Sequence, residues 1–255
     1  MTEFSNKFVL SSSKLADLLC YPRFSADEYQ TRINELLSLN IKFVILEGPT
    51  ILNSVNILGK GNEGLVLKVI DYENNTMAVK IRRTDSCRNE MENEFNFYKH
   101  VNLHNIGPKV HLHTKNIMLM ECIEGIPAKK WFLSCRPNPD LVRHIVIDIL
   151  NQCYVLDGMG IDHGQLNKLD NHVIISPDGL KCTIVDFESA SSKRKVNNVT
   201  SALQGLIFKG YISEQVNAFH NYHNSKTTFL NLLSIYKHEK CRKNFEKILT
   251  LIRCN

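Results

Sequence analysis

The chain has 255 residues, 43% of them apolar and 22% charged, with a formal net charge of +5. That length accommodates one domain or two tightly packed lobes around a sizeable core, and the composition excludes disordered and fibrous classes. No apolar run reaches the ~18 residues of a membrane span, and the first residues lack a basic stretch followed by an apolar one, so neither a membrane anchor nor a secretory leader is expected.

The positive charge reads as mild and spread along the chain, compatible with phosphate ligands or nucleic acid but diagnostic of neither. None of the eight cysteines forms a Cys-x-x-Cys pair and several lie in apolar segments. Reduced, buried thiols and a cytoplasmic location are therefore expected. His100, His104, His111 and His113 are too irregularly spaced to define a metal site.

Taken in order, residues 12–20 and 26–38 are expected to be helical, because Leu15, Leu19, Tyr29, Ile33, Leu36 and Leu37 recur at helical spacing. Ser25 with Glu28 three residues on predicts a capping box. These helices form a leading element over residues 1–40. From Ile41 the period changes to short β-rich runs (43–46, 54–58, 64–70 and 76–81), separated by Gly-Pro, Gly-Lys-Gly and Asn-Asn turn signals. A helix is expected over 87–101, then strands at 109–113 and 116–121, closing a β-rich lobe over residues 41–121. Residues 122–255 are predicted mostly helical (139–158, 199–208 and two more helices between 213 and 252). They are interrupted by a strand–turn–strand at 172–175 and 182–186 around Pro177-Asp178-Gly179.

Residues Gly59-Lys60-Gly61-Asn62-Glu63-Gly64-Leu65-Val66 fit the pattern Gly-x-Gly-x-x-Gly-x-Val in full. Glycines allow the backbone to bend and to approach phosphate oxygens. A dinucleotide fold requires a helix directly after them, whereas Leu65–Ile70 reads as a strand, so the loop belongs to a hairpin. Ala78-Val79-Lys80 then places a lysine near the end of the next strand, the order in which a kinase loop covers phosphates and a lysine neutralises them. Glu94, followed by Phe97, Tyr98 and Val101, is the expected anionic partner of Lys80, with Glu90 as the alternative.

Further phrases in this order resemble the protein-kinase-like superfamily. Leu119 to Gly125 resembles the strand and hinge between its lobes, and the resemblance assigns Met120, Glu121 and Ile123 to adenine contacts. His163-Gly-Gln-Leu166 resembles the catalytic loop His-Gly-Asp-Leu of RIO-type and small-molecule kinases, and Val185-Asp-Phe-Glu188 resembles the metal-binding turn Asp-Phe-Gly. The chain resembles small archaeal serine/threonine kinases related to the RIO and lipopolysaccharide-kinase types, through Gly-Lys-Gly, Lys-Ile-Arg-Arg (80–83), Ile-Gly-Pro (106–108) and Asp-Phe-Glu-Ser-Ala-Ser (186–191). The resemblance covers residues 40–205 and implies an α+β, bilobal kinase-like fold with a β-rich N-lobe and a small helical C-lobe. It also implies ATP and Mg²⁺ as cofactors, with Gly59, Lys60, Gly61, Gly64, Val66, Ala78 and Lys80 around the nucleotide. Asp186 is the expected Mg²⁺ ligand, with Asp170 or Asn171 as the second.

Three departures bear on activity. Gln165 stands where an aspartate orients the acceptor hydroxyl, and a glutamine amide hydrogen-bonds but takes up no proton. Glu188 stands in place of glycine. No Ala-Pro-Glu phrase follows, so the peptide-docking platform of large kinases is not expected. The leading function is phosphotransfer onto serine or threonine of a protein, with Lys80, Glu94, His163, Gln165 and Asp186 in the catalytic set. The alternatives are an ATP-binding pseudokinase and an ATPase-like assembly factor, the latter with an RNA or ribosome link that rests on the resemblance alone. Ser192-Lys-Arg-Lys195 contacts an acidic substrate or RNA phosphate, or is simply a solvated loop.

Overall fold

A computed structural model describes residues 6–10, 12–135 and 137–254. The protein is α+β, with a β-sheet-rich N-terminal part and a helical C-terminal part, and it divides into two compact units, Met1–Ile123 and Glu124–Asn255.

The first unit is built on an antiparallel sheet. Its strands are β1 (Lys7–Val9), β2 (Ile41–Ile45), β3 (Thr50–Leu52), β4 (Val55–Ile57), β5 (Gly59–Lys60), β6 (Gly64–Asp71), β7 (Thr76–Arg82), β8 (Val110–His113) and β9 (Ile117–Glu121). The main sheet runs β1-β2-β6-β7-β9-β8, with β5 paired to β6, while β3 and β4 form a separate hairpin. Alternation along the strands sorts the side chains. Leu65, Leu67 and Val69 of β6, Val79 and Ile81 of β7, and Ile117 and Leu119 of β9 all enter one apolar core. The opposite face carries two rungs set by the register, Val66–Lys80–Met118 and Lys68–Ala78–Met120.

The leading helices complete that core. A short 3₁₀ turn and α1 (Ala16–Leu19) contribute Leu15, Leu18 and Leu19, and α2 (Ala26–Ser38) contributes Leu36. Helix α2 begins at Ser25 as its sequence predicts, but Ser25 makes no side-chain cap and the capping box does not form. Glu28 turns instead to Arg32, 3.1 Å away. Arg32 is fully buried and donates to the carbonyls of Leu19 and Arg82, tying α1 and β7 to α2.

Two further differences have physical causes. Strand β1, absent from the sequence reading, is only three residues long and is held by pairing with β2. Helix α3 spans Glu92–Asn102 and begins five residues later than its periodicity suggests. The preceding residues are held as a loop by Arg82, whose guanidinium donates to the carbonyls of Arg83 (3.4 Å) and Arg88 (3.1 Å).

In the second unit, α5 (Pro139–Gly158) is the longest element, matching its predicted bounds. Asn138 caps it by accepting from the Leu141 amide at 2.8 Å, and Pro139 occupies the first turn. Before it lie β10 (Ile126–Pro127) and α4 (Ala128–Ser134); after it come α6 (Leu169–His172), β11 (Val173–Ile175) and β12 (Cys182–Ile184). The chain continues through α7 (Asn198–Leu203), a π-helical turn, α8 (Tyr211–Phe219), α9 (Lys226–His238) and α10 (Arg242–Cys254). The C-terminal region therefore holds three helices where the sequence pattern suggests two. No helix among the described residues is long and apolar enough to cross a membrane. All eight cysteines are free, with Cys20, Cys153 and Cys182 buried.

Arg32→Leu is expected to destabilise the protein by about 2–4 kcal/mol in urea unfolding, because two main-chain carbonyls lose their donor. A loss below about 0.5 kcal/mol contradicts the tying role.

Candidate functional site

In the first unit the candidate residues gather on β5, β6, β7 and α3, with Met120 and Glu121 on β9. Residues 59–66 form the predicted hairpin: Gly59 pairs with Val66 and Lys60 with Leu65, and the Gly61 amide donates to the Gly64 carbonyl at 2.8 Å. None of Gly59, Gly61 and Gly64 has a positive φ, so backbone handedness does not explain them. Gly64 is required by a close approach. A Cβ there would lie 3.0 Å from the Ile81 carbonyl oxygen and 3.2 Å from Cε of Lys80, so its bare Cα makes room for the lysine stem. Gly59 is open by comparison, with Val66 at 3.8 Å.

Lys80 Nζ donates to Glu94 Oε1 at 2.7 Å, with side-chain exposures of 5% and 3%. Glu94 lies in the first turn of α3, where the helix dipole also favours a carboxylate. The alternative partner, Glu90, is exposed and lies before the helix begins. Ala78 and Met120 are buried beside Lys80 on the same sheet face. Lys60 points elsewhere: its ammonium donates to the Tyr21 hydroxyl at 2.8 Å. Arg83 holds the tip of the hairpin through the Gly61 carbonyl (3.3 Å) and also lies 5.1 Å from the Tyr21 ring centre. Glu121 closes β9, exchanging contacts with Lys109, and Ile123 ends the unit half-buried.

In the second unit a buried network organises the loop around His163. Asn198, at the start of α7, donates through its side chain to Asp157 Oδ1 (2.8 Å) and the Ile161 carbonyl (2.7 Å), and its Oδ1 accepts the His163 amide at 2.9 Å. Tyr236 donates to Asp157 Oδ2 at 3.0 Å. Burial raises the Asp157 carboxyl above its usual range despite these donors, and raises the Tyr236 phenol too. Neither Asp157 nor Asn198 stood out in the sequence. The available signal was position: Asp157 continues the apolar stripe Ile145, Ile149, Cys153 at the next four-residue step.

His163 is fully buried, and its Nε2 lies 3.0 Å from the Val185 carbonyl, joining the loop to the strand end before Asp186. Its ring meets Phe187 edge-on at 4.8 Å and His172 at 5.6 Å. Desolvation, followed by the neighbouring His172, pushes its pKa down to about 4. The imidazole is thus neutral at pH 7 and positions Val185, a different part from the proton chemistry of a catalytic histidine. The Gln165 Oε1 is buried with no hydrogen-bond donor. Gly164 adopts φ +88°, and a Cβ there would lie 2.5 Å from Arg194. Arg194 pairs with Asp162 at 2.8 Å while remaining exposed, as Lys193 and Lys195 also are.

Asp186 has left-handed backbone (φ 71°, ψ 68°), a strained conformation for a residue with a Cβ. Its Oδ2 lies 3.8 Å from His172 Nδ1. A 3₁₀ turn over Phe187–Ser189 follows, and Glu188 has no positive φ, so glycine is not needed there. Of the two candidates for a second metal ligand, Asp170 lies 3.8 Å from Lys129 Nζ and Asn171 is exposed. Among the described residues no group of three or more His, Cys, Asp or Glu could hold a metal ion. Magnesium carried by a nucleotide needs only one or two carboxylates with phosphates and water. Asp186 therefore fits a magnesium-nucleotide, whereas a protein-only metal cage does not.

No family model and no curated protein matches the chain.

The His163 pKa has a consequence for stability. An unfolded histidine takes up a proton below 6.5 while His163 does not until about 4, so its contribution is present above pH 6.5 and is lost as pH falls through that window. The loss is about 3 kcal/mol. His163→Gln, compared with the parent in urea titrations between pH 7 and 4, is expected to be less stable at pH 7 and to show a flatter pH dependence. Parallel curves contradict the buried, neutral assignment.

Proposed function

We propose that the protein is an ATP-dependent phosphotransferase of the serine/threonine protein kinase type, with a kinase-like bilobal fold. The observation that carries the reading is the buried Lys80–Glu94 pair behind a glycine hairpin whose third glycine clears the lysine stem. An ion pair this buried contributes little net stability, since its desolvation cost offsets its attraction. Its presence is better explained by a task for the ammonium.

In this reading Gly59, Gly61 and Gly64 with Lys80 hold the phosphates, Val66, Ala78, Met120 and the backbone of Glu121 to Ile123 hold the base, and Asp186 holds magnesium. Mg·ATP, when bound, supplies the transferable phosphoryl group. Glu94 fixes the direction of Lys80. His163 fixes Val185, and through it the strand end that leads into Asp186. Gln165 Oε1 is buried in the structure, so in this reading its side chain turns outward to accept one hydroxyl. It orients that hydroxyl without taking its proton, so transfer is slow. The same residue favours a second reading, a nucleotide-binding module without transfer, because no proton acceptor stands at position 165.

Mg·ATP is expected to raise the melting temperature; with Kd about 10 μM and about 1 mM nucleotide the linkage is about 2.7 kcal/mol. In a radiolabelled autophosphorylation assay run beside an ATP-hydrolysis assay, Asp186→Ala is expected to abolish transfer and Gln165→Asp to preserve or raise it, by ~10²-fold at most. Hydrolysis without transfer points to the ATPase-like alternative. A flat, inactive set leaves the binding module, and no thermal shift at millimolar Mg·ATP overturns nucleotide binding itself.

A further inference from the structure

The charge of this chain is not spread along it. Residues 1–225 hold 24 basic and 24 acidic residues, whereas residues 226–255 hold seven basic and two acidic ones, so the entire formal charge of +5 lies in the last two helices. Such an asymmetry points to a polyanionic partner.

The structure concentrates that charge further. On α10, Phe245, Ile248, Leu249 and Ile252 are buried, and the helix packs on α9 and α5. The opposite face presents Arg242, Lys243, Lys247 and Arg253, all exposed. Glu246 is the one carboxylate on that face. It pairs with both Arg242 and Arg253, so it offsets one unit of charge and leaves Lys243 and Lys247 one helical turn apart without an acidic partner. Lys237 is exposed at the end of α9.

We infer that the outward face of α10, with the end of α9, is a docking surface for the phosphodiester backbone of a nucleic acid. Three features select this partner over others. No exposed side chain of α10 is aromatic or large and apolar, and Ile235 is the one such exposed residue near the end of α9, whereas protein–protein interfaces are built on such anchors and are depleted in lysine. The apolar side of α10 is already buried, so nothing remains to insert between lipids. Phosphate contacts need only lysine and arginine, and carry affinity without base recognition. The face is ~16 Å long by helix geometry, a length over which duplex nucleic acid carries about ten charges, more than enough to engage three or four cations. This inference stands apart from the phosphotransfer reading, because none of its residues belongs to that site.

Full-length protein would be titrated into fluorescent 20-nucleotide RNA and DNA, single-stranded and duplex, across 50–200 mM salt. Micromolar binding at 50 mM salt is expected, with log K falling against log salt with a slope of about −3. Lys243→Glu/Lys247→Glu is expected to weaken binding at least tenfold and to flatten the slope by about 2. Lys99→Glu/Lys181→Glu carries the same change in charge on exposed lysines elsewhere and is expected to cost less than threefold. Absence of binding at 50 mM salt overturns the inference, as does an equal loss in both double variants. Equal or tighter binding to poly-glutamate assigns the face to an acidic protein, and tighter binding to phosphatidylserine vesicles assigns it to a membrane; either result also overturns it.

Discussion

A lysine ammonium and a glutamate carboxylate 2.7 Å apart, with both side chains nearly inaccessible, impose conditions on everything near them in the first unit. The lysine must leave the middle of a sheet on the face opposite the apolar core, which the alternation of β7 ensures. The glutamate must arrive from a helix whose first turn lies beside that strand. The hairpin of residues 59–66 must pass without filling the space of the lysine stem, which is why residue 64 has no Cβ. On the other face, Leu65, Leu67, Val79 and Ile81 join the leading helices in a core that keeps the sheet rigid. A charge pair placed on so firm a support is held in one geometry, which a ligand-binding ammonium needs.

The second unit reaches a comparable rigidity by other means. Asp157, deep in the helical core, holds Asn198 and Tyr236, and Asn198 holds the main chain at Ile161 and His163. His163 passes the constraint to Val185, next to the left-handed Asp186. Except for His163 Nδ1, which is buried without a hydrogen-bond partner, the polar side-chain atoms of this network have partners, which makes them specifying rather than costly in a buried setting. The side-chain oxygen of Gln165 likewise stands outside that accounting.

Much of this was legible in the sequence. The α+β division, the hairpin after the glycines and the helix over 139–158 follow from period, turn residues and spacing, and the choice of Glu94 for Lys80 follows from the likeness of its helix to that of kinases. What escaped depended on long-range contacts. Arg32 diverts Glu28 from a capping box because two distant carbonyls need a donor. Arg82 delays α3 by fastening the residues before it. Strand β1 owes its existence to β2, not to a pattern of its own. Asp157 and Asn198 carry no local motif, since their pairing spans about forty residues. The concentration of charge in the last two helices was hidden by an even balance of opposite charges over the preceding residues.

In the proposed reading the buried pair is kept for a ligand rather than for stability. That reading is tested most directly by replacing both members with apolar residues, Lys80→Met/Glu94→Leu, and measuring urea unfolding and calorimetric Mg·ATP binding beside the parent. Swapping a buried ion pair for apolar side chains of similar size is often neutral or stabilising. The expected variant is within about 1 kcal/mol of the parent, or more stable, and binds Mg·ATP at least 100-fold more weakly. A variant that loses several kcal/mol of stability, or that binds Mg·ATP as the parent does, contradicts that reading.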